Sequence, residues 1–170
     1  MTKRRIWILV IACAALFIAV FPAVRRATEA KADGQLTTCW VMCRPGDYVN
    51  VRVSASRKSR QAGYLECGDS FLTDGYSRNG FIRVYSVGEG SEAWIYSGYV
   101  VTEKPEKIGA TYVCVAKKRV ACRKWIGGPQ VEGRPWLRNG ETCQVFLMAD
   151  GWAVTSRGYI KSEWLEMSAE

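Results

Sequence analysis

Apolar positions in this chain fall in short runs of four to seven residues, rich in Val, Ile, Tyr, Phe and Trp and bounded by clusters of Gly, Asn, Asp and Ser. That is the pattern of β-strands in hairpins. Beyond residue 32 no stretch sustains a 3.6-residue apolar period, so the sequence predicts an all-β chain. Residues 40–43 and 112–115 open two series of strands. Residues 48–52 and 120–123 follow, and their alternation places Val49 and Val51, or Val120 and Cys122, on a core face. Residues 71–73 and 143–147 come next. The dipeptides Asn79-Gly80 and Asp150-Gly151 then mark tight two-residue hairpins. Final strands are expected at 93–96 and 158–160.

The two series are copies of one unit. The first reads Asn50-Val51-Arg52, Gly68-Asp69, Asn79-Gly80-Phe81, then Trp94-Ile95 with Tyr99-Val100. The second reads Ala121-Cys122-Arg123, Gly140-Glu141, Asp150-Gly151-Trp152, then Tyr159-Ile160 with Trp164-Leu165. Arg52 precedes Gly68 by 16 positions and Arg123 precedes Gly140 by 17; in both copies the closing aromatics, Trp94/Tyr99 and Tyr159/Trp164, stand five apart. A charged, Pro-containing joint, 103–110, separates the copies and reads as a linker or exposed turn. The chain therefore divides into residues 1–32, a first module at 33–102, the linker and a second module at 111–170. The stretch 87–92 has no counterpart in the second copy and is expected to be a loop tip. Modules this small sit near the lower size limit for an independent core, where covalent staples are common.

Residues 1–32 are of another kind. Lys3, Arg4 and Arg5 precede an apolar run from Ile6 to Val24, which Pro22 alone interrupts. This suits a signal peptide or a membrane-anchor helix, and its length lies on the boundary between them. Ala30-Lys31-Ala32 offers a cleavage step before Asp33, whereas Arg25-Arg26 directly after the run suits an uncleaved anchor. Cys13 is read as a thiol within this apolar segment. The basic amino terminus should remain inside and the rest be exported. The expected location is thus extracytoplasmic, secreted or tethered to the membrane by the N-terminal segment.

Removing that segment changes what the charge means. The chain has 24 basic and 16 acidic side chains, a balance of +8. Six of the basic residues and one acidic residue lie in 1–32, which leaves only +3 beyond it. No nucleic-acid partner is expected from such a balance. Six of the seven cysteines, Cys39, Cys43, Cys67, Cys114, Cys122 and Cys143, fall in the exported part, where oxidation to disulfides is expected over metal binding. The chain has no histidine. That removes the usual general base and the commonest metal ligand, so neither catalysis nor a cofactor or metal is expected.

The duplicated motif resembles that of tandem bacterial SH3 domains, in which an early Asn-Val-Arg, a Gly-Asp turn, an Asn-Gly-Trp hairpin and a closing Gly-Trp-Val followed by Tyr-Leu recur. The first copy matches it more closely than the second, which has Ala121 where the motif has Asn. The resemblance implies two small SH3-like barrels in tandem, carrying a shallow aromatic groove rather than catalytic groups. Transferred by position, the groove residues are Tyr48, Asn50, Arg52, Trp94 and Tyr99 in the first copy and Trp152, Tyr159 and Trp164 in the second. Each of the tryptophans, and Tyr159, is also of the type that fills a barrel. Two such grooves would raise avidity through effective concentration. Basic loops at 57–60 and 117–124 fit anionic partners as well as ordinary solvated surface, and Trp125 would be an aromatic platform beside the second.

The implied role is a binding module for cell-wall peptide or glycan, foremost peptidoglycan peptides. The alternative is a protein–protein scaffold that docks an envelope protein. Among the cysteines, the aligned positions pair Cys122 with Cys143 and Cys43 with Cys67, leaving Cys39 and Cys114 to tie the copies together.

Overall fold

The computed structural model describes residues 35–85 and 93–168. The expected signal or anchor segment, Cys13 and the 87–92 loop tip lie outside the described residues. Among those described, no helix is long and apolar enough to cross a membrane. The chain is all-β, with two three-residue 3-10 turns as its only helical elements among the described residues.

In the first half the strands are β1 (Thr37–Val41), β2 (Tyr48–Arg52), β3 (Gln61–Glu66), β4 (Ser70–Thr73), β5 (Ser77–Arg78), β6 (Phe81–Val84), β7 (Ala93–Tyr96) and β8 (Val100–Val101). They form one sheet of order β3-β2-β7-β6-β5 and a second of order β4-β1-β8. The second half contains β9 (Glu106–Cys114), β10 (Val120–Ala121), β11 (Trp136–Leu137), β12 (Thr142–Ala149), β13 (Trp152–Thr155), β14 (Gly158–Lys161) and β15 (Leu165–Met167). Here one sheet runs β14-β13-β12-β9-β15, and β10 pairs with β11. Within each half, all sheet pairings are antiparallel.

Local chemistry explains the turns. Asn79-Gly80 and Asp150-Gly151 take φ of 52° and 75°, and of 48° and 72°. Two successive left-handed residues match the twist of the flanking strands, and Asn, Asp and Gly reach that conformation at least cost. The two hairpins therefore deliver Phe81 and Trp152 to equivalent places. Strand β9 begins at Glu106, so residues 106–110, expected to belong to the joint, are instead half of a nine-residue strand. A bulge lets it bend: Ile108 and Gly109 stand opposite the single residue Phe146, and Gly109 has φ of 68°.

Each half has its own core. Val41, Val49, Val51, Phe71 and Ile95 fill the first. Cys122, Leu137, Cys143, Val145 and Ile160 fill the second. Val49 and Val51 point inward, as their alternation predicts, and Cys143 takes the inward place that Phe71 has in the first half. Burying a side chain such as Phe71 contributes about 2–3 kcal/mol.

A third apolar cluster draws on both halves, with Met42 and Val101 packed among Leu147, Ala149, Val154 and Tyr159. Polar contacts cross the same seam. The Tyr159 hydroxyl donates to the Met42 carbonyl at 2.8 Å in a buried setting, and the Asp150 carboxylate accepts from the backbone N–H groups of Thr102 and Glu103 at 2.6 and 3.1 Å. Gly34–Glu170 is accordingly one compact unit.

Candidate functional site

The nine positions expected to bind ligand do not meet in two matching grooves; the structure distributes them among four settings. Tyr48 is 60% exposed and leans on Tyr64, 56% exposed, with ring centroids 5.3 Å apart. Asn50 is half-buried, and its Oδ1 has no hydrogen-bond partner. Arg52 donates from Nη1 to the Ser59 carbonyl at 2.7 Å, tethering the loop after β2. Trp94 is buried with Ala55 and Phe81 and meets Tyr76 edge-on. Tyr48 and Trp94 thus belong to different surroundings.

Tyr99, Trp125 and Tyr159 lie in the seam between the halves. Trp125 sits 5.5 Å from Tyr96 at 89° and 6.4 Å from Tyr99, while Tyr99 meets Tyr159 at 6.1 Å. The guanidinium of Arg57 covers the outer side, 4.6 Å from the Tyr96 centroid and 5.0 Å from that of Trp125, a cation–π arrangement. The backbone secures the contact, since the N–H of Ile126 donates to the Gly98 carbonyl at 3.0 Å. Gly98 is needed here because a Cβ would lie 2.4 Å from Cδ1 of Trp125. Tyr159 is only 5% exposed. Trp125, expected to be a platform for ligand, and Tyr159, expected in a groove, are therefore spent on joining the halves.

Trp152 and Trp164 remain open to solvent, and they stand together. Along with Val115, Ala116, Val120 and Ala121 they line a groove of about 740 Å³. Lys117, Lys118, Arg119, Arg123 and Lys161 also line it, against the single carboxylate of Glu163. Trp164 is 38% exposed, and Trp152 is half-buried. Arg123 is fixed by donating from Nη1 to the Gly128 carbonyl at 2.5 Å, and Lys161 pairs with Glu163 at 3.4 Å. The surface is an apolar floor with a cationic rim, suited to a ligand with a flat or aliphatic face and a carboxylate or other anion. Among the described residues no cluster of His, Cys, Asp and Glu could hold a metal ion.

Strand register shows that this groove has a counterpart in the first half. Phe81 is the cross-strand partner of Tyr96, as Trp152 is of Lys161. Tyr99 ends one 3-10 turn and Trp164 the other. The first-half surface is where Trp125 docks. The two surfaces are consequently not two equal sites, as avidity between the copies would require.

Sequence reasoning found Trp152, Trp164 and the basic loop, but missed Lys161, Tyr96 and Gly98. Counting from Gly158 and Ala93 along the matched final strands would have set Lys161 against Tyr96. Gly98 carried no signal, because its role arises from a ring 27 positions away.

No disulfide joins any of the six expected cysteines among the described residues. Cys43 and Cys67 are adjacent, and Cys114, Cys122 and Cys143 share the second core. Burial pushes Cys122 up to about 11 and also raises Cys143. Cys39 lies in the first core and Cys114 in the second, so the expected tie between these two is not offered by the geometry.

No family model matches the chain, and no curated protein matches it in sequence. It is similar to two solved structures from Trichomonas vaginalis. NlpC1 is 17% identical with a TM-score of 0.33, over 83% of this chain and 49% of that one. NlpC2 is 17% identical with a TM-score of 0.31, over 79% of this chain and 49% of that one. The chain spans about half the length of each, and nothing about activity is transferred from either at this level of likeness.

Proposed function

We propose that this chain is a non-catalytic binding module, working outside the cytoplasm, whose second-half groove recognises cell-envelope material, specifically peptidoglycan peptides. One observation carries the reading. The first-half counterpart of the groove is filled by Trp125, whereas the Trp152/Trp164 groove is open and rimmed by five cations. Wall peptides match it chemically, since they are short, partly aliphatic and carry free carboxylates. An aromatic wall beside a cationic rim holds such a chain by stacking its apolar part and pairing its anion. The extracytoplasmic setting rests on the basic and apolar pattern of residues 1–32.

Sedimentation with isolated cell walls tests this. Retention should fall about tenfold for Trp164→Ala, a loss of about 1.4 kcal/mol, and should weaken with added salt. Retention unchanged by Trp164→Ala together with Lys161→Glu would remove the groove from the account. Capture of one envelope protein with no wall retention would replace it with the scaffold reading.

A further inference from the structure

A second cavity, of about 910 Å³, lies between the turns of the first half and strand β9 and shares no residue with the groove. Cys67 lines it, half-exposed, at the turn that ends β3; Cys43 follows β1 and is only 3% exposed. The two side chains are in hydrogen-bond contact. Cys67 Sγ also lies 2.7 Å from the Cys43 carbonyl, and Cys43 Sγ lies 3.5 Å from that of Asp47.

Backbone bonds hold both in place. The N–H of Cys67 donates to Asp47 O at 3.3 Å, and that of Gly68 to Val41 O at 2.8 Å. A partly buried sulfur that reaches a cavity, backed by a fully buried one, is an arrangement in which an attacking thiol already has its resolving partner beside it. The other four described cysteines are buried in the two cores.

Hydrogen bonding within the pair, rather than the surrounding charge, favours the outer thiolate. The Cys43 hydrogen bond, with the Lys107 ammonium adding to it, brings Cys67 down to about 7, against burial and the Asp47 carboxylate; Cys43 itself is raised. Glu66, Asp69 and Lys104 are the other charged groups on this cavity. A thiol titrating near neutrality is both ionised and a good nucleophile.

We propose that Cys43 and Cys67 form a redox-active dithiol that exchanges with small disulfides entering this cavity, Cys67 attacking and Cys43 resolving. With glutathione disulfide, the Cys67 thiolate attacks one sulfur, forming a mixed disulfide and expelling one glutathione thiolate. Cys43 then loses its proton to solvent, and its sulfur attacks that of Cys67. The second glutathione leaves as thiolate, and the expelled thiolates take up protons. In sum, two protein thiols are oxidised to one disulfide and one glutathione disulfide is reduced to two thiols.

The test uses the reduced full-length protein, mixed with glutathione disulfide, quenched with acid and mapped by mass spectrometry. Wild type should show a Cys43–Cys67 bond and no lasting glutathione adduct. Cys43→Ser should retain glutathione on Cys67, and Cys67→Ser should take none on Cys43. At pH 7 the Cys67 reaction should run roughly three to four times faster than that of a cysteine in an unfolded peptide, with its midpoint near pH 7 rather than about 8.5. Three results would overturn the proposal: no adduct on Cys43→Ser, an adduct on Cys43 in Cys67→Ser, or a Cys43–Cys67 bond that excess reduced glutathione cannot reopen.

Discussion

The two halves build the same surface and put it to opposite uses. In each, a two-residue hairpin presents an aromatic, Phe81 or Trp152, beside a cross-strand partner and an aromatic that ends a 3-10 turn. Two positions decide the outcome. Where the first half has Tyr96 and Gly98, the second has Lys161 and Glu163. A ring and a missing side chain let Trp125 pack edge-on to Tyr96 and against the backbone of Gly98, closing the surface. An ammonium and a carboxylate at the same places leave it hydrated and charged. A duplicated aromatic surface thus passes from closed to open when two side chains change, with its backbone intact.

The largest effect is expected from Trp125→Ala, which empties the first-half surface; stability should fall by about 3 kcal/mol in a urea titration. A loss below about 0.5 kcal/mol would show that the ring is not part of the joint. Gly98→Ala comes next, at about 2 kcal/mol, because its Cβ would overlap the indole. Its counterpart Glu163→Ala, at an exposed position, should change stability by under about 0.5 kcal/mol. Equal effects at the two positions would erase the asymmetry.

Third is Trp164→Ala. Its unfolding midpoint should stay near that of wild type while wall retention drops, separating a binding aromatic from a joining one. Parallel losses of both would place Trp164 among the joining residues.

The smallest effect concerns acid. Burial alone would raise the Asp74 carboxyl, but hydrogen bonds from Arg83, the Tyr76 N–H and the Tyr85 hydroxyl outweigh it and hold the group below its ordinary value. A depressed carboxylate contributes stability that is complete above its unfolded pKa of about 3.9 and is lost as pH falls through the folded value. The second-half pairs Lys124–Glu132 and Lys161–Glu163 are exposed on at least one side. Acid should therefore weaken the first half first, and Asp74→Asn should flatten that limb. Tryptophan fluorescence and circular dichroism followed from pH 6 to 2 would detect it. An unaltered acid limb in Asp74→Asn would mean that the ion pair stabilises nothing.

Much of the fold could be read along the chain because it depends on local chemistry. Asn79-Gly80 and Asp150-Gly151 announce their hairpins since few other dipeptides reach two left-handed conformations cheaply. Val49 and Val51 show their direction through alternation. Strand β3 escaped, because Gln61–Glu66 has only intermediate or exposed positions and lacks a buried stripe. Residues 106–110 looked like a linker for their charge and Pro105, yet they lie along β12, whose partner cannot be seen from composition. The site was half legible. Trp152 and Trp164 could be placed by matching the copies, but Trp125 could not be told from an exposed platform until its contacts with Tyr96, Tyr99 and Gly98 were seen.

Sequence alone determined the strands with an alternating or apolar pattern, the tight turns, the duplication and the lack of histidine, all of which follow from residue type and short-range spacing. Tertiary structure decided that the halves share a buried seam, that one aromatic surface is closed and the other open, and that Cys67 faces a cavity with Cys43 behind it. Those outcomes depend on which side chains meet across tens of residues. Packing settles such meetings through shape and burial, and neither is written in the local pattern.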